Sequence, residues 1–201
     1  MALNFANNNS LSAITTKPSG LSGGALNLIS TQTASSSSTI SFTSGIDDTY
    51  DEYVFKFYNI HPSSADTRFQ VNFRDGGSSY DAIKTTTFFR AAHAEDDSGV
   101  DFGYDSYKDL AQSTAGHNLN NETGNQDSDK SLSGELRLFS PSSTVFVKHF
   151  MSVTNDIDMS NYCTTVYTGG YCNVTAAIDG VQFAMSSGNI DSGVIKLYGI
   201  S

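Results

Sequence analysis

Tryptophan is absent, and only 16% of the 201 residues are charged, well under the roughly 25% of an ordinary soluble domain. The missing indoles remove the usual platform for stacking on sugar rings, although tyrosine can take that role. Basic residues number 11 against 21 acidic ones, a formal charge of −10, and nowhere do they cluster. Binding to a nucleic acid by counterion release is thereby excluded, and adsorption to anionic lipid is disfavoured. No apolar run approaches the roughly 18 residues of a spanning helix. Residues 1–9 lack both the basic n-region and the continuous apolar h-region of an export signal. The expectation is a chain made and folded in a cytosol, with neither membrane nor nucleic acid as partner. What is abundant is aromatic: 13 Phe and 10 Tyr bring enough apolar area for a core in a chain of this length, which excludes wholesale disorder.

The signatures of catalysis are missing as well. There is no phosphate-cradling glycine loop ahead of a helix. His61, His93, His117 and His149 stand far apart and share no ligand spacing. One stretch is dense in carboxylates: Glu95, Asp96, Asp97, Asp101, Asp105 and Asp109, with Gly99 and Gly103 between them. A solvated loop is the simpler reading. Calcium is the sharper one, with Asp96, Asp97, Asp101, Asp105 and Asp109 as ligands, although their spacing departs from the Asp-x-Asp-x-Asp-Gly loop. No other cofactor is expected. Cys163 and Cys172 could face each other across a hairpin turning at Tyr167 and Thr168. The nearest turn signal, Gly169-Gly170, shifts that pairing, and cytosolic synthesis favours two buried free thiols. Without a Cys-x-x-Cys or a nearby histidine pair they make no metal site.

Strand signals recur from residue 39 onward. Residues 39–44, 52–60, 67–75, 84–92, 133–139, 144–154, 161–167, 171–176, 180–186 and 193–198 read as strands separated by turns. In the clearest case Phe69, Val71 and Phe73 alternate with Arg68, Gln70, Asn72 and Arg74, giving one dry and one wet face. The expected core is Phe42, Phe55, Phe57, Phe69, Val71, Phe73, Leu136, Leu138, Val181, Phe183, Ile195 and Leu197. Residues 93–131 read as long loops with one or two short strands. Helix caps followed by a 3.6-residue period are missing throughout. The fold class expected is all-β: an antiparallel β-sandwich, jelly-roll-like, over residues 39–201. Residues 1–38 carry a single charge, Lys17, and scattered apolar side chains. They read as an extended N-terminal arm that orders on a partner, with Leu3, Phe5, Leu11 and Ile14 as attachment points.

Several phrases carry a resemblance. They are Ile-Ser-Phe-Thr-Ser-Gly-Ile-Asp-Asp-Thr-Tyr from Ile40, Tyr-Val-Phe-Lys-Phe-Tyr-Asn-Ile-His-Pro from Tyr53, Phe-Gln-Val-Asn-Phe-Arg-Asp-Gly-Gly from Phe69, and the stretch from Gly188 to Ser201. Together they resemble structural proteins of tailed phages of marine bacteria, over nearly the whole chain. The resemblance implies a non-enzymatic virion component, assembled in the host bacterial cytoplasm. It would contact other virion proteins and form a homo-oligomer, a trimer among the options. It carries no catalytic residue over and does not distinguish capsid decoration from tail or fibre. The rival reading is a receptor-recognition module for host-surface glycan, with residues 93–131 as its binding face.

Overall fold

A computed structural model describes residues 26–124 and 129–200. Twelve strands and no helix occur among them, numbered β1 to β12 in chain order. The larger sheet runs β1 (Leu26–Ser37), β12 (Ile190–Ile200), β3 (Glu52–Pro62), β8 (Leu132–Phe139), β9 (Lys148–Ile157), β10 (Tyr162–Cys172), β5 (Lys84–Ala94) and β6 (Val100–Tyr104). The smaller runs β2 (Thr39–Phe42), β11 (Gly180–Met185), β4 (Phe69–Arg74) and β7 (His117–Asn118). Every pairing between neighbours is antiparallel, so the protein is an all-β antiparallel sandwich.

Period-two patterning explains how the sheets meet. Along β4 burial alternates strictly, with Phe69, Val71 and Phe73 inward. All twelve expected core residues are buried. Phe183 of β11 sits at the centre, its ring 5.4 Å from Phe55, 5.2 Å from Phe57 and 5.4 Å from Phe69. The alternation breaks within β3, where Phe57 and Ile60 are both buried although three residues apart. Both partners of β3 shift register there, and Asn59 adopts a φ of 50°. Gly193 opposite has a φ of 124°, and a Cβ on it would lie 2.8 Å from the Asn59 carbonyl. A glycine is needed for the bulge to close.

Four sequence expectations are corrected. Residues 26–37 are not arm: β1 pairs with β12 along its length, and Ala34 joins the core. The sandwich thus includes residues 26–37, ahead of the expected start at 39, while Leu3, Phe5, Leu11 and Ile14 lie outside the described residues. Gly169-Gly170 is no turn but lies within β10. A Cβ on Gly170 would lie 2.6 Å from the Thr85 carbonyl and 2.9 Å from the Phe150 ring, so this glycine admits a packed aromatic ring. Cys163 and Cys172 consequently lie on one strand rather than across a hairpin. They are nine residues, roughly 30 Å, apart and both free, and Cys163 is exposed instead of buried. Finally, residues 105–124 are not simply a surface loop. Lys84 N–H donates to the Ser113 carbonyl, Thr86 N–H to Leu110 and Leu119 N–H to Phe69. This segment runs along β5 and reaches β9, where the Thr154 hydroxyl donates to the Leu119 carbonyl, and it buries Leu119 and His117.

Candidate functional site

The larger sheet extends beyond β8 as β9-β10-β5-β6, and one end of its inner face there is polar. One row across these strands reads Asp156, Thr164, Ala92, Asp101. Because side chains in register stand on one side of a sheet, the small Ala92 leaves a gap between Thr164 and Asp101. The gap opens as a cleft of about 280 Å³ lined mainly by polar atoms. Arg90 stands on one flank. Its guanidinium donates to Asp101 at 2.5 Å and to Asp105 at 3.1 Å. The β9–β10 turn supplies the other flank. There Asp158 Oδ1 accepts from the N–H groups of Ser160 and Tyr162, a cap that occupies one carboxylate oxygen and leaves the second to accept. Asn121 closes the rim, its Oδ1 held by Lys108, with its amide nitrogen left to donate.

Two buried atoms here have no hydrogen-bond partner: Oγ1 of Thr164, which lines the cleft, and Oδ1 of Asp156 beneath it. Asp156 Oδ2 accepts from Asn120 at 3.0 Å and from Thr123 at 3.5 Å. Burial pushes its carboxyl up to about 7, with Asp158 adding to the rise against the Asn120 bond. Asp156 lies below the floor and not in the cleft wall, so it can tune the site but cannot touch a ligand.

The acidic stretch is distributed rather than gathered. Asp96 caps Ser98, Asp97 meets His93 at 3.0 Å, and Asp109 accepts from Tyr104. Asp101 and Asp105 share Arg90. Of the five calcium candidates, only Asp101 lines the cleft. Among the described residues no three His, Cys, Asp or Glu side chains are placed to hold a metal ion.

No protein-family model, no curated protein and no solved structure matches this chain.

The outer face of the same strands is chemically opposite. A row of Val153, Tyr167, Phe89 and Tyr104 crosses four strands, with Phe89 and Tyr167 stacked at 5.2 Å. Met151 lies beside it, and Val100 and Phe102 continue it on β6, the terminal strand. Strand-level reading flags neither surface, because Thr164, Ala92 and Asn121 carry no motif; only the register makes them neighbours.

Proposed function

We propose that this chain is a non-enzymatic structural module of a bacteriophage particle, displayed as capsid decoration or within the tail or fibre. It would be assembled in the host cytoplasm against other virion proteins and copies of itself. The strand order supports a jelly-roll reading. Four strands of the larger sheet, β1-β12-β3-β8, match β2-β11-β4-β7 of the smaller one by one, as two Greek keys wrapped together require. The observation that carries the proposal is the apolar outer face. Val100 is 80% exposed, Phe102 79% and Tyr104 58%, all on β6, which pairs with β5 and ends the larger sheet among the described residues. An edge of that character is a pairing site unless a neighbour covers it. Sedimentation of the full chain across concentration, with Phe102→Glu alongside, is the test. Self-association that Phe102→Glu abolishes, and recovery of the chain from purified particles, are the expected results. A wild-type chain that stays monomeric and is missing from particles overturns the proposal.

The second reading, a receptor-recognition module for host-surface glycan, is favoured by the polar cleft. The 93–131 segment contributes Val100, Asp101 and Asn121 to it.

A further inference from the structure

We infer that the cleft between the β5–β6 hairpin, Asn121 and the β9–β10 turn binds a single neutral sugar ring. This rests on the receptor-recognition reading and names its ligand class. The groups that meet there are the Asn121 amide, the Ser160 and Tyr162 hydroxyls, the second oxygen of Asp158, and Arg90 with Asp101. The lining offers both donors and acceptors, which suits vicinal hydroxyls, since each can donate to a carboxylate and accept from an amide or guanidinium. At about 280 Å³ the space falls just below the roughly 300–1,000 Å³ of drug-sized pockets. It admits one ring but not an extended chain inside.

Charge narrows the class further. Asp101 and Asp158 both face the opening, so a uronic or sialic acid would bring a third carboxylate against two. Arg90 does not reverse this, since Asp101 and Asp105 already hold its guanidinium. That same cation argues against a metal ion as the occupant. The independent sign of a ligand is Thr164. It lines the cleft, is fully buried, and has a hydroxyl with no partner in the protein. A buried hydroxyl left unpaired is destabilising, and valine would fill the same volume without that cost. A hydroxyl kept there is accounted for if a bound ligand oxygen completes it.

Titration of the full chain with the methyl glycosides of glucose, galactose and N-acetylglucosamine, and with glucuronate and sialic acid, tests this by ligand-observed NMR. At least one neutral glycoside binds and neither acid does. Thr164→Val weakens that binding roughly three- to tenfold, the value of one hydrogen bond, without lowering the unfolding temperature. Asn121→Ala and Ser160→Ala, changes at the rim, weaken it too. Binding unchanged in all three variants, or acids bound as well as neutral sugars, overturns the inference while leaving glycan recognition standing elsewhere on the surface. No binding to any sugar in this panel or on a glycan array overturns the receptor-recognition reading with it.

Discussion

Replacing Phe183 with alanine separates the burial of aromatic rings from their stacking. Phe183 is fully buried and touches four rings, with centroids at 6.2 Å to Phe42, 5.4 Å to Phe55, 5.2 Å to Phe57 and 5.4 Å to Phe69. A buried Phe→Ala change costs about 3–5 kcal/mol through lost transfer energy and the cavity left behind. Each aromatic pair adds roughly 0.5–1.5 kcal/mol, and these contributions overlap. The expected loss is therefore about 5 kcal/mol, a third or more of the roughly 5–15 kcal/mol of a typical domain. The built-in control is Phe89, which stacks on Tyr167 at 5.2 Å and 11°, nearly the geometry of Phe69 on Phe183 at 13°. Phe89 and Tyr167 are 39% and 41% exposed, so Phe89→Ala is expected to cost only about 1 kcal/mol. Urea unfolding followed by circular dichroism and tyrosine fluorescence reads both, with an unchanged denaturant slope marking a change in stability alone. Melting should fall by roughly 10–20 °C for Phe183→Ala. A loss below about 2 kcal/mol, or one equal to that of Phe89→Ala, would show that burial does not outweigh stacking and refute the reasoning.

Two buried groups make opposing contributions to pH dependence. Asp156, raised to about 7 from 3.8, keeps a proton that the unfolded chain has released, so its contribution to stability declines from about pH 4 to pH 7. His117, lowered by burial to about 3 from 6.5, stays neutral where the unfolded chain takes up a proton, so its contribution grows with pH up to about 6.5. Across pH 4–6.5 Asp156→Asn should therefore make the slope of stability against pH more positive than in the parent, and His117→Phe should make it more negative; the opposite signs in urea titrations would count against both assignments. Native alkylation should modify the exposed Cys163 and spare Cys172, whose thiol burial pushes up to about 12, with two free thiols after denaturation. Zero free thiols in the denatured chain would contradict this. Deleting residues 1–25 should leave the melting temperature unchanged, whereas deletion through residue 37 strips β12 of one of its two partners and should lower it by several degrees; equal stability of the two truncations would remove β1 from the folding unit.

Strand positions and the core were legible in the chain because alternation is a local property. Phe69, Val71 and Phe73 must point one way on any pleated strand, whatever lies opposite. The same locality explains the errors. Gly169-Gly170 looks like a turn until Phe150 on a neighbouring strand is known to lie over Gly170. β1 reads as arm because its sequence is mostly Ser, Thr, Asn and Gln with few apolar anchors; what holds it is a backbone ladder to β12, and backbone bonds leave little trace in side-chain pattern. The cleft was beyond sequence altogether. Asp156, Thr164, Ala92 and Asp101 span more than sixty positions and become one row only through the registers of three strand pairs. The sequence by itself determined the class of fold and which faces are dry, since both follow from periodicity within single strands. Register, the extension of the larger sheet beyond β8, and the site formed there were decided only by tertiary pairing, where energy depends on contacts between residues far apart in the chain.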